Sequence, residues 1–280
     1  MKVFVVGAGQ MGGGIAQVMA AVGNITYLYD LNEEIVKKRL IFIENWLTRS
    51  VGIGKISEDE KTRTLNNILP SIYMKDAADS DVVIEAVIEN LDTKVNIFQQ
   101  LDQIIKPACI LATNTSSLSI TEIASYTNLP ERVIGMHFMN PVPLMKLVEV
   151  IRGNATNDET VKVVWDLALS LKKFPVEVRD VPGFVSNRVL QVMINEAIFC
   201  LHEGVASKEG IYTVMKLGMN HPMGPLQLAD LIGLDTVLFI LEVMYNGYGD
   251  PKYRPCPLLK QYVKKGWLGK KSGRGFYEYP

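Results

Sequence analysis

The sequence predicts a doubly wound α/β domain with a mostly parallel sheet over residues 1–182, followed by a smaller all-helical domain over residues 183–280. Three observations carry this. Short apolar runs alternate with helix-period stretches through the first half. A glycine-rich turn directly follows the first apolar run. Strand signals stop at Val181-Pro182-Gly183 while helical stripes continue.

KVFVV (2–6) is a continuous apolar run, as expected of a strand buried on both faces. Ile15, Val18, Met19 and Val22 then fall at helical spacing, and Gly23 closes that helix. ITYLYD (25–30) reads as a second strand. VVIEA (82–86), CILAT (109–113), VIGM (133–136), LVEVI (147–151) and PVEV (175–178) follow, with helical stretches such as Asp92–Ile105 and Ile120–Tyr126 between them. Beyond Gly183, Leu190, Met193, Ile194, Ala197 and Leu201 form a stripe. Asp235 reads as the N-cap of TVLFILEVMY, residues 247–257 as a loop, and the final FYEY as the one later strand candidate.

At 280 residues, 48% hydrophobic, the chain can bury a sizeable core. A formal charge of -1 argues against a nucleic-acid partner, which calls for a basic face. Cys109, Cys200 and Cys256 lie far apart, which fits a reducing compartment, and Cys109 reads as a small core residue. No segment approaches a membrane span, and Lys2-VFVV is too short for a signal peptide, so the expectation is a cytoplasmic protein with no membrane partner.

Gly7-Ala8-Gly9-Gln10-Met11-Gly12 fits G-x-G-x-x-G, a weak signal alone but a strong one between a strand and a helix. Gly7 permits the tight turn, Gly9 lets backbone approach a pyrophosphate, and Gly12 lets helix and strand pack closely. The helix N-terminus offers N–H groups to phosphate. Asp30 ends the second strand, where a carboxylate binds ribose hydroxyls and repels a 2′-phosphate. The expected cofactor is therefore NAD rather than NADP, on a Rossmann-type domain. Gly13 and Gly14 are surplus to the motif.

His137 stands at the carboxyl end of VIGM, where ligands of doubly wound sheets gather. Asn114-Thr115-Ser116-Ser117 and Glu89-Asn90 lie at two other strand ends. A dehydrogenase must move a hydroxyl proton as hydride leaves the same carbon, and histidine titrates near neutrality. Glu149, flanked by apolar residues in LVEVI, should be buried and needs a partner, and His137 is the natural one. Residue types alone leave a core histidine beside a structural glutamate equally open.

The segments GAGQMGGGIA, ATNTSSLSI, GMHFMNPVPLMKLVEVI, VPGFVSNR, MKLGMNHPMGP and GWLGKKSGRGFY, in this order and spacing, resemble the 3-hydroxyacyl-CoA dehydrogenase family over essentially the whole chain, its bacterial 3-hydroxybutyryl-CoA branch above all. The resemblance implies an NAD-dependent oxidoreductase without a metal, acting on an acyl-CoA thioester. His137 would be the acid/base and Glu149 its orienting partner. Ser116 and Asn187 would bind the reacting oxygen and thioester region. Asn114, Ser116, Asn140, Glu89, Lys94 and Lys271 would join Gly7, Gly9, Gly12 and Asp30 in holding NAD. Asn187 could instead serve the helix start, although Ser186 is better placed as a cap, and Lys271 could be a solvated charge.

Thr113 and Met139 stand where the family often has serine and phenylalanine. Around residues 51–55 the family tends to carry more lysines, thought to meet the CoA phosphates, whereas this chain has only Arg49 and Lys55 nearby. Two other functions stay open: a related dehydrogenase of free hydroxy acids, and a non-catalytic NAD-binding protein. The apolar run Val237–Met244 suggests a homodimer through the helical domain, with packing inside the chain as the alternative.

Overall fold

The computed structural model describes all residues from Met1 to Pro280. It divides into two units, Met1–Asp180 and Val181–Pro280.

The first unit is built on one sheet of eight strands: β1 (Lys2–Val6), β2 (Ile25–Tyr29), β3 (Ile68–Ser71), β4 (Val82–Glu85), β5 (Ile110–Thr113), β6 (Val133–Phe138), β7 (Leu147–Arg152) and β8 (Phe174–Arg179). Their order is β3-β2-β1-β4-β5-β6-β7-β8, so the chain winds outward in both directions from the β1/β4 junction. Ligands of such sheets gather at the carboxyl ends beside that switch point. Every pairing is parallel except β6 with β7. The segment joining those two strands is too short for a crossover helix, so the chain returns antiparallel.

β3 is the strand that the apolar pattern missed. Its four residues ILPS contain Pro70, which no central strand tolerates. β3 is an edge, so the missing N–H costs no ladder bond there. The helices of this unit are α1 (Gln10–Ala21), α2 (Glu33–Gly52), α3 (Glu58–Asn66), α4 (Leu91–Asp102), α5 (Ile120–Ala124) and α6 (Asp158–Ser170). α1 turns Ile15, Ala16, Met19 and Ala20 to the core, while Val22 is exposed at its C-cap. The buried stripe thus sits to one side of the expected one, because the alanines let the helix lie close on the sheet.

The second unit contains α7 (Ser186–His202), α8 (Lys208–Thr213), α9 (Pro225–Ile232), α10 (Leu234–Tyr248) and α11 (Pro257–Lys264). α7 starts one residue earlier than expected, with Val185 at the cap and Ser186 as its first residue. α10 likewise begins at Leu234, and Asp235 lies in the first turn without capping it. Val237, Ile240, Leu241 and Met244 are all buried within this unit's own core, so packing inside the chain accounts for that face of the run, while Phe239 is exposed. FYEY forms no strand, and only isolated bridges join Gly269 to Arg274 and Arg274 to Glu278. The buried Asp230 carboxylate accepts the N–H groups of Phe276 and Tyr277, both at 2.9 Å, which a ladder would have used.

The glycine cluster has mechanical reasons. Gly7 has φ +101°, and a Cβ there would lie 2.8 Å from the Ala86 carbonyl oxygen. A Cβ on Gly12 would collide with the Gly7 carbonyl oxygen, and one on Gly13 with the Arg39 side chain. Gly14 packs on Val142, 2.9 Å from where its Cβ would be. Gly9 differs, since a Cβ there meets nothing within 4 Å. Gly12→Ala should therefore cost about 1–3 kcal/mol of stability, or roughly 5 °C in melting temperature. Gly9→Ala should melt within about 1 °C of the unaltered protein, since it overpacks nothing. Equal melting temperatures for the two variants would contradict this packing account.

Candidate active site

Three carboxylates organise the carboxyl end of the sheet. Asp30, just past β2, accepts the Ala8 N–H at 3.0 Å, and Arg39 of α2 donates to the Ala8 carbonyl at 3.2 Å. Both backbone polar groups of Ala8 are thus held by side chains. α1 has Gly9 at its N-cap, with no side-chain cap and no acid in its first turn. Asn32, Ser57, Asn90, Ser119, Asn157 and Ser207 cap α2 to α6 and α8. The α1 N-terminus keeps its donors for an anion, and the space over Gly9 is open to one. Asp30, Leu31, Ala86, Val87 and Ile97 line an adjoining cavity of about 560 Å³. The residues present therefore fit a dinucleotide.

Glu89 is the second carboxylate. Its Oε1 accepts the Ser116 N–H at 2.7 Å, the Ser117 N–H at 3.0 Å and the hydroxyls of Thr115, Ser116 and Ser117 at 2.7, 3.0 and 3.1 Å. Lys94 Nζ stands 3.5 Å from the other oxygen. Burial by itself would push the Glu89 carboxyl up, but the Lys94 charge and these hydrogen bonds outweigh it and hold it below the usual carboxylate range. Lys94 is 1% exposed and is bound by Glu85, so in this structure its ammonium is covered and reaches the site through Glu89.

His137 and Glu149 face each other as register partners across the β6–β7 ladder. Both side chains are buried, and His137 Nδ1 lies 2.9 Å from Glu149 Oε2. The strand pleat puts both on one face, and the carboxylate selects the tautomer that carries hydrogen on Nδ1. Asn114, past β5, accepts the Phe138 N–H at 2.9 Å and so fixes the end of the His137 strand. Asn140 accepts from Gln10 Nε2 at 3.0 Å, joining the segment after β6 to the glycine turn.

In the second unit, Asn187 is buried in the first turn of α7. Lys271 pairs with Asp235 at 2.6 Å.

Residues 2–181 match the NAD-binding domain of 3-hydroxyacyl-CoA dehydrogenase, and residues 183–279 match the C-terminal domain of the same enzyme. The chain belongs to the 3-hydroxyacyl-CoA dehydrogenase family. Within it, the chain is 59% identical over 99% of its length to a Bacillus subtilis protein named "Probable 3-hydroxybutyryl-CoA dehydrogenase", 97% of which is covered. It is 50% identical to the 3-hydroxybutyryl-CoA dehydrogenase of Bradyrhizobium diazoefficiens, over 99% of this chain and 95% of that one. The crystal structure of (S)-3-hydroxybutyryl-CoA dehydrogenase from Ralstonia eutropha matches with a TM-score of 0.98 at 48% identity, covering 100% of this chain and 99% of that one. In this chain the glycine turn from Gly7 to Gly12 and the 2.9 Å His137–Glu149 contact both lie at the carboxyl end of the sheet.

Sequence reasoning passed over Glu85 and Arg39. Glu85 carries the same signal that singled out Glu149, a carboxylate inside an apolar strand, here VVIEA. Cys109 is buried as expected, and burial pushes its thiol up to about 12. No helix is long and apolar enough to cross a membrane.

The depressed Glu89 carboxyl has a pH signature. Its contribution to stability is present above the unfolded carboxylate range, near pH 4, and is lost as pH falls through the lower folded value. Denaturant midpoints of the unaltered protein and Glu89→Gln should differ most at pH 7 and converge below about pH 4. A gap that widens with acid would refute the assignment.

Proposed function

We propose that this chain interconverts (S)-3-hydroxybutyryl-CoA and acetoacetyl-CoA with NAD as the redox partner. The 2.9 Å His137–Glu149 contact at the carboxyl end of a dinucleotide-binding sheet carries this reading. NAD supplies, when bound, the hydride acceptor for the C3–H of the substrate. The protein's part is the proton. With Nδ1 held by Glu149, His137 takes the 3-hydroxyl proton on Nε2 during oxidation and returns it during reduction. Glu149 steadies the imidazolium and fixes the ring. Ser116, anchored through its N–H and hydroxyl on Glu89, positions the reacting oxygen.

Gly7, Gly9 and Gly12 shape the pyrophosphate turn, and Asp30 takes the adenosine ribose, favouring NAD over NADP. Glu89 and Asn140 serve the nicotinamide end, while Lys94 and Asn114 act one step back by positioning Glu89 and the His137 strand. Asn187 is assigned to the thioester region and Lys271 to NAD.

The acyl-CoA reading has further support in a second cavity of about 700 Å³, beside the first. Phe42, Ile43, Trp46 and Pro143 give it apolar walls suited to a pantetheine arm, and Lys38 and Arg39 bring cations to it. The sparse basic residues around 51–55 are thereby offset from α2 itself. The first unit serves as the NAD domain, and the second as the substrate and dimerisation domain of a cytoplasmic homodimer. Exposed apolar residues such as Val189 and Leu217 favour the dimer.

Acetoacetyl-CoA should oxidise NADH rapidly, with NADPH and free acetoacetate each at least about tenfold poorer in kcat/KM. Comparable rates with free acetoacetate would reassign the substrate. His137→Gln should lose about 10³-fold or more in kcat while its NADH affinity stays within about twofold. Glu149→Gln should lose about 10²-fold in kcat at little-changed KM, through a misoriented imidazole. Retained turnover in His137→Gln would exclude the mechanism.

A further inference from the structure

Beneath Glu89 lies a buried charge that the proton-transfer chemistry does not use. Glu85, the last residue of β4, is wholly buried. Lys94 Nζ donates to both of its oxygens, at 2.7 and 2.9 Å, while standing 3.5 Å from Glu89. The Thr113 hydroxyl donates to Glu85 Oε2 and the Val87 N–H to Oε1, each at 2.7 Å. Three groups, through four hydrogen bonds, therefore hold this carboxylate in place, and the ammonium is spent mainly on it. Glu85, Lys94 and Glu89 together carry one net negative charge, and that charge falls on Glu89, at the rim.

Without Glu85 the same cluster would be neutral, because Lys94 would compensate Glu89 alone. The difference matters to a ligand whose own charge changes during the reaction. The oxidised nicotinamide ring is cationic and the reduced ring is neutral, while the two cofactor forms share their adenosine, phosphate and ribose groups. Contacts common to both forms cancel in the ratio of their affinities. The local field does not cancel.

We propose that Glu85 sets the redox preference of the cofactor site: by neutralising Lys94 it keeps the Glu89 pocket anionic, and so strengthens the hold on the oxidised cofactor relative to the reduced one. This rests on the reading of Glu89 as part of the nicotinamide end. Glu85 touches neither substrate nor cofactor in this account; it acts through Lys94. A unit charge within about 10 Å of another is worth roughly a factor of ten at an effective dielectric near 20.

The test is titration of NAD+ and NADH, separately, into the full-length protein and four variants. In Glu85→Gln the ratio Kd(NAD+)/Kd(NADH) should rise about five- to tenfold. In Lys94→Met, which leaves two negative charges, it should fall by a similar factor. In the double variant Glu85→Gln/Lys94→Met, which restores one negative charge and leaves no unpaired ion in the core, it should return to within about twofold of the unaltered protein. A merely structural role would weaken both forms alike and leave the ratio in place. An unmoved ratio in folded Glu85→Gln, or a double variant that keeps the single variant's ratio, overturns the proposal. Should Glu85→Gln fail to fold, Lys94→Met and the double variant carry the test, and equal ratios in those two overturn it. Glu89→Gln separates this proposal from the reading beneath it. A raised ratio there with no effect at Glu85 sinks the proposal and keeps the reading; unchanged affinity for both forms there sinks both.

Discussion

A carboxylate taken out of water must find a cation or several hydrogen-bond donors, and that constraint organises the working end of this sheet. Asp30 settles it with a backbone N–H of the glycine turn. Glu85 settles it with an ammonium, a hydroxyl and an N–H. Glu89 gathers the donors of three consecutive residues onto one oxygen. Glu149 takes an imidazole. Each solution fixes a neighbour that a ligand would meet, so the demands of burial and of binding are met by the same bonds.

Close packing supplies the second half of the arrangement. The glycine turn is wedged between β1 and α1, with Gly12 against Gly7 and Gly7 against the Ala86 carbonyl. Gly13 and Gly14, unexplained by the dinucleotide motif, make room for Arg39 and for Val142. Arg39 can then reach across to the Ala8 carbonyl. The segment after β6 is held from two sides, by the Gln10–Asn140 bond and by buried Lys173, which donates to the Val142 and Met145 carbonyls.

Most of this was legible in the sequence because it rests on patterns of short range. Continuous apolar runs marked the buried strands, and a charged residue inside such a run marked Glu149 as partnered. The same mark on Glu85 was overlooked, since no histidine nearby suggested a use for it. β3 was hidden because Pro70 removes the pattern that an edge strand has no need to keep. The starts of α7 and α10 were misplaced because Val185 and Gly233 sit at caps that favoured residues beside them were expected to fill. Val237–Met244 looked surplus because hydrophobicity does not say which neighbour will cover it; the second unit's own core covers Val237, Ile240, Leu241 and Met244 and leaves Phe239 exposed. Long-range bonds such as Arg39 to Ala8 carry no local signature at all.

The register of β6 on β7 has a consequence for how this chain can change over evolutionary time. His137 meets Glu149 because the two are paired residues on one pleat. A slip of one position would turn one of them to the opposite face of the sheet. Insertions and deletions between Phe138 and Leu147 survive only if they leave that pairing untouched. Asn140, Val142 and Met145 already commit much of this segment to fixed contacts. Related chains should vary in length elsewhere, in the turns at the other end of the sheet, and keep this connection constant even where its residues differ.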